Sequence, residues 1–272
     1  MPIPDVAHRM ELRFELPGTP AQVWDAIATG GGISSWFLPT ELEEREGGAI
    51  VTYMGDDESS PGTVTGWDPP RRLSYEEPDW AGLVGHPGAE VTPLATEFLV
   101  EAQSGGTCVV RIVSSAFGTG ADWEQEFFED MEKAWAPFFD NLRLYLTHFP
   151  GQRATLLEAA AQLPGDATAV SSAMQRLLRL DRVGQEVEIG PDGGSRLTGV
   201  VERLGLEAPA LILVRLSEPN RGVIAFYAYG AGDGKTLAGV RGYLFSDGAA
   251  ELVERDQPSW KAWLESLPAS VG

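Results

Sequence analysis

Apolar and polar residues alternate from Met10 to Leu16, Met-Glu-Leu-Arg-Phe-Glu-Leu, the period of a half-buried strand. Pro17-Gly18 stops it, and Thr19-Pro20 reads as an N-cap followed by a first-turn proline. The helix that follows turns Val23, Ile27 and Trp24 inward and ends at Gly30-Gly31-Gly32. After the aromatic pair Trp36-Phe37 the pattern predicts antiparallel strands at 49–54, 62–67, 71–76, 96–102 and 107–114, with turns at Gly47-Gly48, Asp68-Pro69-Pro70 and Ser104-Gly105-Gly106. Residues 78–93 carry prolines and glycines and read as a loop, one with the apolar Trp80, Leu83 and Val84. From 122 to 147 the period changes. Trp123, Phe127, Met131, Trp135, Phe138, Leu142 and Tyr145 recur at spacings of three and four, predicting a long amphipathic helix with an acidic wet face. Pro137 lies inside it, where a missing donor predicts a kink.

Phe149-Pro150-Gly151 sets a boundary near 150, and the remainder reads as a worn copy of the beginning. Leu16-Pro17-Gly18 recurs as Leu163-Pro164-Gly165, and at matching offsets Val23 corresponds to Val170 and Ala26 to Ala173. A helix over 167–180 precedes strand-like runs at 184–189, 197–203, 210–217, 222–229 and 236–245. A short helix with Trp260, Trp263, Leu264 and Leu267 ends the chain. This half shows no first strand and a shorter last helix.

Composition narrows the function. The formal net charge is −20 over 272 residues, which repels nucleic acid and anionic membranes, so neither is expected as a partner. The single cysteine, Cys108, excludes an intrachain disulfide and reads as a buried thiol. The start of the chain lacks an apolar stretch of signal-peptide length, and no run is long enough to span a bilayer. Cytoplasm is the expected location. His8, His86 and His148 have no metal-ligand spacing, so no metal is expected. Gly230–Thr236 (Gly-Ala-Gly-Asp-Gly-Lys-Thr) misses the phosphate-loop pattern because Tyr229 stands where its first glycine belongs, and no cofactor is expected.

Pro20-Ala21-Gln22-Val23-Trp24, Trp36-Phe37, Gly47-Gly48, Thr96, Gly106-Thr107 and the helix ending Asp140-Asn141-Leu142 and Tyr145-Leu146 carry a family resemblance. In their order and spacing, residues 10–148 resemble an activator of Hsp90 ATPase homologue 1-like domain of the START-like, or SRPBCC, superfamily. The resemblance implies an α+β helix-grip fold, a curved antiparallel sheet around a long C-terminal helix with an apolar cavity between them. With the boundary near 150 and a second half that resembles the superfamily in element order alone, two domains are expected, 1–150 of this type and 151–272 as a second, truncated START-like domain. The resemblance fixes no activity, since the superfamily includes lipid carriers, hormone receptors and polyketide cyclases, and the chaperone partner in the family's name is not carried over.

On that frame Trp36, Phe37, Tyr53, Tyr75 and Phe98 on the sheet side, and Trp123, Phe127, Met131 and Trp135 on the helix, are candidate cavity-lining residues. They would hold a small apolar or amphipathic ligand. Glu77 and Asp79, beside the apolar loop, are candidates for a polar gate or an acid–base pair. Arg111 is a candidate contact for an anionic head group. The alternatives are a cyclase, dehydratase or hydrolase using the same pocket, and a protein-interaction module whose acidic surface meets a basic partner; a homodimer is a further candidate, with the second domain as a dimerisation surface.

Overall fold

A computed structural model describes residues 5–55, 58–206, 210–232 and 234–267. The chain divides into two compact units, one ending at Arg153 and the other beginning at Ala154.

The first unit runs β1 (Val6–Pro17), α1 (Pro20–Ala28), α2 (Gly30–Ile33), β2 (Thr40–Leu42), β3 (Ala49–Tyr53), β4 (Ser59–Asp68), β5 (Arg72–Glu77), α3 (Trp80–Leu83), β6 (Leu94–Ala102), β7 (Thr107–Gly118) and α4 (Asp122–His148). Its antiparallel sheet has the order β1-β7-β6-β5-β4-β3-β2. The meander from β2 to β7 runs through short connections except between β5 and β6, which the stretch 78–93 joins, and β1 closes on β7 along its full length, from Val6 opposite Gly118 to Pro17 opposite Thr107. Thr19 caps α1 in a capping box with Gln22, and Pro20 opens the helix, as the local sequence predicts. The helix α4 is about 40 Å long and continuous through Pro137. It is laid on the inner face of the sheet by rings. Phe14 stacks on Phe139 with centroids 3.8 Å apart, and Phe98 meets Trp135 edge-on at 6.0 Å. This is an α+β helix-grip fold. The stretch read as loop contains a helical turn, α3, because Trp80 is buried and donates its indole N–H to the Thr92 carbonyl at 2.9 Å.

The second unit runs β8 (Thr155–Pro164), α5 (Ala167–Leu178), β9 (Glu186–Ile189), β10 (Leu197–Gly205), β11 (Ala210–Glu218), β12 (Gly222–Gly230), β13 (Lys235–Leu244) and α6 (Ala249–Glu265). Its sheet order, β8-β13-β12-β11-β10-β9, is that of the first unit with one strand fewer. The sequence reading found no first strand here. Thr155–Pro164 is rich in Leu, Ala and Glu, which favour helix, and only pairing with β13 makes it extended.

The repeated Leu-Pro-Gly builds the same corner twice. Gly18 and Gly165 adopt φ of 113° and 106°, a region only glycine occupies easily. Each donates its N–H across the sheet, to the Gly106 carbonyl at 3.0 Å and to the Gly234 carbonyl at 3.1 Å. Each carbonyl accepts from the second residue of the closing strand, the Cys108 thiol at 3.4 Å and the Thr236 hydroxyl at 2.7 Å.

Candidate functional site

The space between sheet and helix in the first unit is built from the chain segment after α1. The Trp36 indole N–H donates to the Ala26 carbonyl at 2.9 Å, and Asn141 of α4 donates its amide to the Trp36 carbonyl at 2.6 Å. These two bonds fix the Trp36-Phe37 pair against the helix. Phe37 then stacks on Trp135, centroids 5.5 Å apart and planes 16° from parallel.

Beside these rings lies a void of about 20 Å3, counted as the space open to the centre of a water molecule. That is room for about one water. Trp36, Phe37, Tyr75, Phe98 and Trp135 line it, with Ile27, Ile33, Thr40, Ile50, Thr52 and Leu73. Trp36, Leu73 and Phe98 are buried, whereas Phe37 and Trp135 are half-buried and form the outer wall.

Other residues named from the sequence lie elsewhere. Tyr53 falls out of phase with the inward Ile50 and Thr52 and points to the opposite face, 36% exposed, so it does not line the gap. Trp123 and Phe127 join a separate ring cluster near the start of α4. Trp80 packs on Phe127 at 4.6 Å, and His86 stacks on Trp123 at 4.1 Å. Met131 is half-buried on α4 between the cluster and the void and lines neither wall of the latter. Arg111 alternates out of phase with Val110 and Ile112, and its guanidinium lies 3.4 Å from Glu11 on the outer face, away from any head group in the gap. Asp79 is exposed at the start of α3, so it forms no pair with Glu77 inside the sheet.

A feature missed from the sequence is a polar seam across the inner face. Thr40 is opposite Thr52, and Thr52 is opposite Ser60. Ser60 donates its hydroxyl to the Glu77 carboxyl. Glu77 and Tyr75 share the inner face of β5, Tyr75 is opposite Thr96, and Thr96 is opposite Ser114. The Thr96 and Ser114 hydroxyls are 3.0 Å apart, both buried. Burial pushes the Glu77 carboxyl above the usual carboxylate range, and the Ser60 hydrogen bond opposes this only in part. Burial also raises the Tyr75 phenol, with the neighbouring Glu77 adding to the effect and the Thr96 hydrogen bond opposing it. Gly62 makes room for the Glu77 stem, since a Cβ there would lie 3.2 Å from its Cγ and 2.7 Å from the Glu76 carbonyl oxygen.

Glu124, which is buried where Glu77 is half-buried, is of opposite character. Burial raises its carboxyl, but hydrogen bonds from the Thr119 and Gly120 amides, the Thr119 hydroxyl and His8 outweigh burial and hold it below the usual range. It clasps β1, the β7–α4 connection and α4 together. No group of three or more His, Cys, Asp or Glu side chains that could hold a metal ion occurs among the described residues. Among them, no helix is long and apolar enough to cross a membrane.

The sheet closed by its first strand and gripped by a long C-terminal helix defines an SRPBCC-type domain. Residues 17–147, most of the first unit, match the family described as Activator of Hsp90 ATPase homolog 1-like protein. No curated protein matches the chain. Among solved structures, the di-domain ARO/CYC BexL from the BE-7585A biosynthetic pathway is 14% identical with a TM-score of 0.44, over 96% of this chain and all (100%) of that one. DynU16 from the dynemicin biosynthetic locus is 16% identical with a TM-score of 0.41, over 96% of this chain and 97% of its own. CalU16 from Micromonospora echinospora is 17% identical with a TM-score of 0.40, over 52% of this chain and 78% of that chain. At such identities and scores these likenesses carry nothing about what the present chain binds.

Proposed function

We propose that the first unit binds a small apolar or amphipathic molecule between its sheet and α4. The observation that supports this is the join of two ring-bearing walls over a void that Thr40 and Thr52 also line. A core that served packing alone would gain nothing from Thr40, Thr52, Ser60, Glu77, Thr96 and Ser114 along one seam, because each polar group must find a partner when buried. At rest the void has room for about one water and none for a ligand of ordinary size, so binding requires the outer wall to move. Phe37 and Trp135 are the half-buried part of that wall. Pro137, two residues beyond Trp135, removes the amide that would bond the Lys133 carbonyl, which lowers the cost of deforming α4 there.

The second unit, taken as 151–272, we read as a truncated START-like domain that holds no ligand. Its inner face is filled by aliphatic residues, with Phe226 against Trp260 and Trp263 of α6.

Native mass spectrometry of the full chain, with titration of the neutral fluorophore N-phenylnaphthylamine, tests the reading. A copurifying small molecule, or one bound fluorophore per chain, is the expected result. Neither an adduct nor a gain in fluorescence at saturating probe would overturn it.

A further inference from the structure

The seam goes further than the presence of a pocket, because it specifies the polar end of what enters. We propose, resting on the reading above, that the ligand carries a neutral hydrogen-bond acceptor, a ketone, ester or amide carbonyl, and that the Glu77 carboxyl O–H donates to it.

The geometry that carries this is the position and partnering of Glu77. It lies on the inner face of β5, in phase with Leu73 and Tyr75, both of which line the void. Its hydrogen-bond donor, Ser60, is opposite Thr52, another lining residue. The Ser60 hydroxyl donates to one carboxyl oxygen, and the second oxygen, on a side chain that is half-buried, accepts no protein hydrogen bond among the described residues and is open to solvent. A carboxyl with one oxygen accepting has its O–H left to give. The raised affinity of this group for its proton, caused first by burial, agrees with that state.

The surroundings argue against an anionic end. No lysine or arginine lines the void. Arg72 pairs with Glu97 at 2.5 Å, and Arg111 lies near Glu11 on the outer face, so both nearby guanidinium groups are engaged away from the gap. A carboxylate or phosphate entering the seam would lose its hydration without meeting a cation, a cost that a single neutral donor offsets only in part. A carbonyl oxygen needs only one donor. Thr40 and Thr52, seam hydroxyls among the residues that line the void, can adapt as donor or acceptor, and Glu77 is the next residue on the same face of the strand beyond the lining residue Tyr75.

The test compares three ligands of one shape on the full chain at neutral pH: naphthalene, acetylnaphthalene and naphthoate, by isothermal titration. Acetylnaphthalene is expected to bind ~10-fold tighter than naphthalene, the worth of about one hydrogen bond in a dry site, and tighter than naphthoate. Glu77→Gln, whose amide still donates, should keep that preference, and Glu77→Leu should reduce it to the level of naphthalene. Raising the pH through the ionisation of Glu77 should weaken acetylnaphthalene in the parent protein but not in Glu77→Gln, which keeps the test valid should the leucine variant fold poorly. Naphthoate binding as tightly as acetylnaphthalene, or Glu77→Gln losing as much as Glu77→Leu, would overturn the inference. Naphthalene binding with no preference for the ketone would overturn it and leave the pocket standing. No binding of any of the three would overturn the pocket and this inference with it.

Discussion

The two units share a strand lattice and differ in what fills it. Count six residues along the closing strand from the position that faces the first strand's leucine, Cys108 opposite Leu16 and Thr236 opposite Leu163. In the first unit this reaches Ser114, with Thr96 and then Tyr75 as cross-strand neighbours. In the second it reaches Gly242, with Ile224 and then Val214. The polar seam of one unit is an aliphatic row in the other. Two residues nearer the corner the units agree: Phe98 opposite Ile112 corresponds to Phe226 opposite Val240, and each phenylalanine meets a tryptophan on the last helix. The fold therefore needs the Phe–Trp contact between sheet and helix. It does not need the seam, which is why the proposed ligand site is put there.

The largest effect should come from the shared contact. Phe226→Ala removes a fully buried ring from a closely packed core and should cost about 3–5 kcal/mol in urea unfolding. Phe98→Ala borders a void that can partly close, so its cost should be smaller; an equal or larger cost would break the contrast between a solid and a loosened core.

Next come two acids, the buried Glu124 and the half-buried Glu77, which give opposite pH slopes to the same unit. Glu124 is held below its unfolded value, so its contribution is present above the ordinary glutamate range and is lost as pH falls through the folded value. Glu124→Gln should cost about 1–3 kcal/mol at neutral pH, because an amide NH2 would face donors, and should flatten the acid limb of the stability curve. Glu77 is held above its unfolded value, so its folded form binds more protons and stability falls as pH rises from the ordinary glutamate range through the folded value. Glu77→Gln should remove that fall. Thermal unfolding of both variants across acid to neutral pH checks the signs.

The seam itself can be converted. Thr96→Ile with Ser114→Gly installs the second unit's residues at equivalent positions. The pair should leave the protein folded by circular dichroism while lowering affinity for a neutral apolar probe by ~10-fold or more, as the larger side chain takes the free space. Undiminished binding would place the ligand away from the seam. The smallest effects belong to the helix caps, where the units are alike. Thr19→Ala and Asp166→Ala each remove a side-chain acceptor for an N-terminal amide and should each cost about 1 kcal/mol in the same unfolding assay.

Much of the fold was legible because its signals are local. Thr19-Pro20 caps a helix, glycine pairs turn hairpins, and the ring spacing from Trp123 to Tyr145 is helical in any context. What was not legible depends on partners distant in sequence. Thr155–Pro164 has helical composition and becomes a strand only because β13 offers an edge. Tyr53 was assigned by ring type, although its phase relative to Ile50 sends it outward. Glu77 carried a usable signal, its alternation with Leu73 and Tyr75, which a strand drawn only to Glu76 cut off. Trp36, Phe37, Tyr75, Phe98 and Trp135 come together at the void because two long-range hydrogen bonds, from Trp36 to Ala26 and from Asn141 to Trp36, set the aromatic pair.

The central claim is that only the first unit opens for a ligand, and the tryptophans report on both. In a proton–nitrogen NMR titration of the full chain with acetylnaphthalene, the indole resonances of Trp36 and Trp135 should shift with a saturable profile while those of Trp260 and Trp263 stay fixed. Shifts at Trp260 and Trp263, or none at Trp36 and Trp135 with ligand bound, would contradict it.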